Sequence, residues 1–205
     1  MWLDSLWVAT CPGCDAPGPP GLCRVCEEDQ RLQEAAYEGL KVWALAPYPG
    51  PTAKVLVRAK YSGDRGLMDL LARSLAAAVA ALPGRWDAVV PVPSPWTRRL
   101  SRGFAPAAVL AARVAPALGA PLRHALRLAP GTKQASLDAA GRQRNLVGRL
   151  RAVRPVPGRV LLVDDAVTTG TTARSCAREL LGDHTETVDI LGLVSTSWGE
   201  QDARP

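Results

Sequence analysis

The chain has 205 residues, of which 47% are hydrophobic and 21% are charged, and its formal net charge is +6. This composition allows a core of ordinary size and excludes a disordered chain. Between residues 97 and 159, thirteen Arg or Lys stand against a single acid, Asp138. Such a block can attract an anionic ligand or a nucleic acid, although a solvated arginine-rich surface is the alternative.

The apolar segments do not have the character of a membrane span. The stretch 67–82 carries Asp69 and Arg73 and is shorter than the roughly 20 apolar residues that a transmembrane helix needs. The opening residues MWLDSLWVATC contain Asp4 and no basic region, unlike a secretory signal. We therefore expect a cytoplasmic protein without a membrane span.

Four cysteines near the start have the spacing of a metal site. They are Cys11, Cys14, Cys23 and Cys26, in the pattern C-x2-C-x8-C-x2-C. Four thiolates at this spacing are typical of structural zinc, with iron in the same cage or two disulfides as alternatives. A segment this small cannot build a core, so we predict a zinc-binding module over residues 1–36 that the metal folds. It could be a staple alone, or it could contact nucleic acid or a partner.

From about residue 40 onward, segments typical of strands and helices alternate. Periodicity and composition predict strands over 41–48, 86–93, 121–129, 159–165 and 187–195, and helices over 65–82, 105–119 and 171–182. Segment 53–61 fits either type, and the polar segment 130–145 is predicted to be a loop. The alternation predicts a mostly parallel sheet with helices on both faces.

The stretch VLLVDDAVTTGTT (160–172) suggests a site for a phosphorylated pentose. In α/β sheets ligands gather beyond the carboxyl ends of the strands, where Asp164 and Asp165 would stand. The TTGTT turn offers backbone N–H groups, hydroxyls and a helix N-terminus to one phosphate. Carboxylates can accept hydrogen bonds from sugar hydroxyls, so a ribose 5-phosphate would account for both halves of the stretch.

This stretch closely resembles the phosphoribosyl-pyrophosphate (PRPP) signature of type I phosphoribosyltransferases. Segments 59–76, 91–104 and 132–146 resemble stretches of the ComF competence proteins, and so does the four-cysteine module. The resemblance covers nearly the whole chain. It implies a type I phosphoribosyltransferase-like α/β fold over 37–205, with a mostly parallel twisted sheet, helices on both faces and a small N-terminal four-Cys zinc module.

The resemblance also implies roles for individual residues. The PRPP-binding set is Asp164, Asp165, Ala166, Thr168, Thr169, Gly170, Thr171 and Thr172, and the pyrophosphate-binding set is Val92, Pro93, Ser94, Arg98, Arg99 and Arg102. Arg127, Gln134 and Arg142 would be catalytic contacts on or beside a flexible loop over about 127–145, and Mg2+ would accompany PRPP. Lys60 and Asp64 match the family pattern without an indicated role.

The family implies a ComF-like protein of natural transformation that binds PRPP and single-stranded DNA, beside a DNA-uptake helicase. Homodimers are common in this fold. A nucleobase-salvage phosphoribosyltransferase and a non-catalytic PRPP or nucleotide-binding regulator are the alternatives. Thr168 stands where purine salvage members commonly carry an acid, which counts against the salvage enzyme. Trp96 could stack on a base or serve in packing.

Overall fold

The computed structural model describes residues 9–37, 40–129 and 148–197, with the backbone alone for 35–37. The helices are α1 Arg24–Glu28, α2 Pro51–Ser62, α3 Arg65–Ala78 with a 3-10 turn Val79–Ala81, α4 Trp96–Arg102, α5 Pro106–Ala117 and α6 Thr171–Leu180. The strands are β1 Gln33–Tyr37, β2 Leu40–Pro47, β3 Ala88–Pro91, β4 Leu126–Leu128, β5 Leu150–Ala152, β6 Gly158–Val167 and β7 Thr185–Ser195. Within these ranges, no helix has both the length and the apolar character that crossing a bilayer requires.

The main sheet contains five strands in the order β1-β2-β7-β6-β3. Strands β2, β7, β6 and β3 are parallel to one another, and β1 pairs with β2 in the antiparallel sense. Strands β4 and β5 form a separate antiparallel pair. The predicted mostly parallel α/β architecture is therefore confirmed.

Helices cover both faces of this sheet because its central strands are apolar on both sides. On β6, Leu161 and Val163 pack in one apolar cluster with α2, α3 and α5, and Val160 and Leu162 pack in a second cluster with α6, β4 and β5. Successive side chains of a strand point to opposite faces, so a continuous apolar run is what two covered faces require. All four side chains are fully buried.

The ambiguous segment 53–61 lies in helix α2. Pro51 stands in its first turn, where the missing N–H costs nothing, and Val55, Leu56 and Ala59 form its buried side. The helix ends at Gly63, whose φ of 68° suits a residue without a side chain. Asp64 then caps α3 by accepting a hydrogen bond from the Leu67 N–H at 3.0 Å, which gives this family-pattern residue a structural role.

The strand predicted over 121–129 is shorter than expected. Its regular part is β4, and its first part runs along the edge of β3, where Leu122 bridges to Val89 and the Arg123 N–H donates to the Val89 carbonyl. The backbone is thus extended over much of the segment but pairs with two different partners. A strand pattern in the sequence cannot distinguish these partners.

The N-terminal segment packs against the rest of the chain. The domain boundary predicted between residues 36 and 37 lies inside β1, a strand of the main sheet. Cys11, Leu22 and Cys26 are buried in the same apolar cluster as the inner side of α2. Whether residues 1–36 fold independently remains a prediction, which a folding measurement must test.

A buried polar contact lies toward the end of the sheet that is opposite the carboxyl ends of the strands. Asp189 on β7 accepts hydrogen bonds from the Trp86 Nε1–H at 2.8 Å and from Arg159 Nη2 at 2.6 Å. The Arg159 guanidinium also lies 5.1 Å from the centre of the Trp86 ring. The carboxylate is satisfied by both partners, as a buried charge requires.

Candidate functional site

The two aspartates lie near the carboxyl end of β6, as the sequence predicts. The Asp165 backbone N–H donates to Asp164 Oδ1 at 2.8 Å, so the Asp164 carboxyl is held by the main chain of its neighbour. Burial, and after it the charge of Asp165, raises the pKa of Asp164 to about 7. Two neighbouring acids of which one has a raised pKa are common at functional sites, where a ligand can supply hydrogen-bond donors or cations to the carboxyl groups.

Lys60, at the end of α2, contacts this acid pair. Its Nζ lies 2.5 Å from Asp165 Oδ1, and the two side chains are 19% and 18% exposed. Sequence reasoning matched Lys60 to the family pattern but gave it no partner, because 105 positions separate the two residues. Only the packing of α2 on the sheet brings them together.

The threonine turn follows β6 and leads into α6. Gly170 has a φ of 67°, a left-handed conformation that glycine adopts without steric cost, and it is the residue before the helix. The first helical hydrogen bond joins the Arg174 N–H to the Gly170 carbonyl, so the N–H groups of Thr171, Thr172 and Ala173 have no partner within the helix.

These N–H groups surround a small concavity. Its lining consists of Asp164 and residues 166–173, which include all four threonines. Thr168 and Thr169 are exposed, and the Thr169 and Thr171 hydroxyls lie 3.0 Å apart. Free N–H groups, hydroxyls and the positive end of a helix meet here, and this is the chemistry that holds an oxyanion.

A larger concavity of about 360 Å3 lies elsewhere, between the end of β5, the end of α6 and the start of β7. Arg154, Glu179 and His184 are among its lining residues. It lies at the amino end of β7, whereas ligands of open parallel sheets bind beyond the carboxyl ends of the strands. We therefore place the candidate site at the threonine turn.

The predicted pyrophosphate loop leaves β3 next to Asp164. The Val92 N–H donates to the Val163 carbonyl of β6 at 2.9 Å, which continues the pairing of the two strands up to the acid pair. Pro93 and Ser94 are partly buried, and helix α4 follows at once. The structure thus brings this loop and the β6 turn to the same edge of the sheet.

Helix α4 has no buried residue. Arg98 and Arg99 are exposed and Arg102 is partly exposed. The exposed fractions of Trp96 and Leu100 are 53% and 73%. Helix α4 thus exposes an indole and a leucine side chain together with its arginines.

Among the remaining predicted contacts, Arg127 belongs to the β4–β5 pair. Arg127 lies in β4 opposite Arg151 of β5, and the pair packs against α6 through Leu126 and Leu150. Gln134 and Arg142 lie outside the described residues. Of the predicted catalytic contacts, only Arg127 therefore has a described position.

The four cysteines form one cluster. Their sulphur atoms all lie within 4.8 Å of one another, with Cys14 Sγ and Cys23 Sγ 3.6 Å apart. A tetrahedral zinc ion with Zn–S bonds of about 2.3 Å needs sulphurs about 3.8 Å apart, so the four residues could hold a zinc ion. Burial raises the pKa of the Cys11 thiol, but hydrogen bonds from the N–H groups of Cys23, Cys14 and Gly13 outweigh it and lower that pKa to about 6.

Helix α2 also holds the cysteine cluster. Asp15, directly after Cys14, contacts Lys54 at 2.6 Å and Arg58 at 2.9 Å, and Arg58 donates to the Pro12 carbonyl at 3.0 Å. The Lys54 ammonium, and after it the Arg58 guanidinium, lowers the pKa of the Asp15 carboxyl. The same helix thus contacts the cysteine turn and, through Lys60, the acid pair.

Solved structures that resemble the chain include two phosphoribosyl enzymes. Glutamine PRPP amidotransferase from B. subtilis is 25% identical at a TM-score of 0.43, and the match covers 61% of this chain and 25% of that chain. Orotate phosphoribosyltransferase from Aeropyrum pernix is 19% identical at a TM-score of 0.41, with 83% of this chain and 79% of that chain covered. With TM-scores below 0.5, these are partial likenesses that carry no information on ligand or reaction.

Sequence comparison gives a more extensive match, although no family model matches the chain. The DNA utilization protein YhgH of Salmonella typhi is 30% identical over 201 residues, which cover 92% of this chain and 85% of that protein. The YhgH protein of Salmonella typhimurium is 30% identical over 203 residues, with the same coverage. The chain therefore belongs to the family of the DNA utilization protein YhgH.

Proposed function

We propose that this chain is a ComF-like protein of natural transformation that acts in DNA uptake in the cytoplasm and binds PRPP or a related phosphoribosyl compound. The single observation that supports it most is the concavity that Asp164 and the open threonine turn share at the carboxyl end of β6, beside which Asp165 is the next residue of the strand. Membership of the YhgH family, whose Salmonella members are named DNA utilization proteins, supports the biological role.

Different residues of the site would bind different parts of the proposed ligand. The N–H groups and hydroxyls at residues 168–172 would hold the 5′-phosphate at the positive end of α6. Asp164 and Asp165 would accept the 2′ and 3′ hydroxyls. The loop at Val92, Pro93 and Ser94, with the arginines of α4, would face the pyrophosphate, and Mg2+ would bind through oxygen ligands of that group and of the carboxylates.

Thr168 bears on whether the site also catalyses transfer of the phosphoribosyl group to a nucleobase. A neutral hydroxyl is a poor base, so a purine would lack an agent for proton removal at this position. The proposal is therefore binding without purine salvage. A turnover assay with PRPP, Mg2+ and a panel of nucleobases distinguishes the two, because a salvage enzyme would release pyrophosphate with one of the bases.

Single-stranded DNA contact is proposed for α4. Exposed arginines can neutralise phosphates, and the exposed indole of Trp96 can stack on a base. Its position after the predicted pyrophosphate loop would bring DNA close to the phosphoribosyl site. A helicase partner and a homodimer remain expectations from the resemblance.

The metal proposed for the cysteine cluster is zinc. The four thiols match its coordination number and preferred ligands, and the N–H groups of Cys23, Cys14 and Gly13 would stabilise the bound thiolate of Cys11. Bound zinc would fix the conformation of the cysteine turn that α2 contacts. Metal analysis of the purified protein, which separates zinc from iron, tests this assignment.

The test of the proposed function is calorimetric titration with PRPP and Mg2+. Asp164→Asn combined with Asp165→Asn should weaken PRPP binding by more than about 100-fold, since neutral amides replace both carboxyl groups that would accept from the sugar hydroxyls. The matched control is Asp183→Asn with Glu186→Gln, which removes two exposed acids at the opposite end of the sheet, one just before β7 and one at its start. Unchanged PRPP affinity in the site double mutant, with an unchanged melting temperature, would contradict the assignment.

A further inference from the structure

Lys60 is a charged side chain of the site to which neither the family pattern nor the proposed ligand assigns a role. We propose that Lys60 is a positioning residue that orients the Asp165 carboxylate toward the ribose hydroxyls, and that it thereby gives the site a preference for ribose over 2-deoxyribose phosphates. This inference rests on the proposed function and specifies the substrate class of the same site.

The geometry supports orientation rather than a chance surface contact. The Lys60 ammonium engages Asp165 Oδ1 at 2.5 Å, which leaves Oδ2 to accept from a ligand hydroxyl. Both side chains are about four-fifths buried, so the ion pair is screened less than a surface pair. A carboxylate fixed through one oxygen presents the other in one direction, and this raises its discrimination between a sugar with the 2′ hydroxyl and one without it.

The helix that carries Lys60 is held independently of the ion pair. Leu56 and Ala59 are buried in the core, and Lys54 and Arg58 bind Asp15 on the far side of the helix. The position of α2 therefore does not depend on Lys60, and removing its charge should leave the fold intact. Because the helix is already fixed, the Lys60 side chain also loses little further conformational entropy when the ligand binds.

The charges around the pair explain why a cation is needed there. Asp164 and Asp165 are neighbours on β6, and Lys60 contacts Asp165 from α2, while burial, and after it the charge of Asp164, raises the pKa of Cys176 on α6. Without Lys60, the two neighbouring carboxyl groups would have no cation in contact with them, and the Asp165 carboxylate would no longer be held through Oδ1.

The experiment measures the affinities of ribose 5-phosphate, 2-deoxyribose 5-phosphate and inorganic phosphate by calorimetry. The variants are Lys60→Met, which keeps most of the stem, and Lys60→Arg, which keeps the charge. Lys41→Met is the matched control, since it removes one exposed lysine at the amino end of β2. The melting temperature of each variant shows whether it folds. If Lys60→Met does not fold, Lys60→Arg still tests the proposal.

We expect Lys60→Met to weaken ribose 5-phosphate binding at pH 7 by about 10-fold, and 2-deoxyribose 5-phosphate and inorganic phosphate by about 2-fold or less. Lys60→Arg should keep most of the preference, and Lys41→Met should equal the wild type.

Two results would overturn the inference while the proposed function stands. The first is an unchanged ribose-to-deoxyribose ratio in Lys60→Met. The second is an equal loss for inorganic phosphate, which would mean that Lys60 contacts the phosphate instead. A wild-type protein that binds none of the three compounds, and no PRPP, would overturn the proposed function and the inference together.

Discussion

Arg58 and Lys60 are two positions apart on helix α2, and they contact different parts of the molecule. Arg58 donates to the Pro12 carbonyl of the cysteine turn, and Lys60 contacts Asp165 at the end of β6. Residues two apart on a helix do not face each other, so one helix can serve two neighbours at once. The cysteine cluster and the acid pair are therefore joined by a single rigid element.

Metal removal should therefore affect more than the N-terminal segment. Because Cys11 and Cys26 are buried with the inner side of α2, we expect chelation to lower the melting temperature of the whole chain by about 5–10 °C, equivalent to roughly 2–3 kcal/mol. Scanning calorimetry with and without a chelator measures this shift. A main transition that stays in place while only residues 9–37 lose hydrogen-exchange protection would show the independent module that the sequence predicts.

The pKa of Asp164 predicts how stability changes with pH. A carboxyl whose pKa rises from 3.8 in the unfolded chain to about 7 in the folded one binds its proton more tightly when folded. The stability that this proton contributes is fully present below the unfolded pKa. It is lost as the pH rises from about 4 through about 7.

Asp164→Asn tests this pH dependence. The free energy of unfolding of the variant, measured by urea denaturation, should fall less than that of the wild type between pH 4 and pH 7.5. Parallel pH profiles would contradict the raised pKa. Asp183→Asn, an exposed acid outside the site, should follow the wild-type profile.

The buried contact of Asp189 predicts a stability effect far from the site. Asp189→Ala would leave the Trp86 N–H and the Arg159 guanidinium without their acceptor, so we expect a loss of about 3 kcal/mol in the free energy of unfolding. Trp86→Phe removes one donor and should cost about 1–3 kcal/mol, with part of this from lost packing. Urea denaturation measures both, and PRPP affinity of the folded variants should stay at the wild-type level.

The proposed DNA surface predicts two distinguishable effects. Arg98→Ala with Arg99→Ala removes two phosphate contacts and should reduce the salt slope of single-stranded DNA binding by about 1.4. Trp96→Ala should cost about 1–3 kcal/mol of binding at every salt concentration without changing the slope. Fluorescence anisotropy with a labelled oligonucleotide measures both. Arg73→Ala, an exposed arginine of α3, is the control, and an equal effect of this variant would argue against a surface at α4.

Much of the architecture could be predicted because its signals are short in range. The strand at 159–165 and the helix at 171–182 are found as β6 and α6, since apolar runs and helical spacing depend on neighbouring residues. Segment 53–61 remained ambiguous because its apolar residues fit either period. The extended part of 121–129 divides between β3 and β5 as partners, a distinction that depends on positions far along the chain.

By itself, the sequence determined which chemical groups the protein carries in local order: four cysteines at metal-binding spacing, two acids at the end of a strand, and a threonine-glycine turn before a helix. Adjacent residues stay adjacent however the chain folds, so these groups could be identified in advance. The tertiary structure alone decided that Lys60 meets Asp165 and that the cysteine turn packs on the same helix. Those contacts join residues far apart in the chain, and they arise from how α2 buries its apolar side against the sheet.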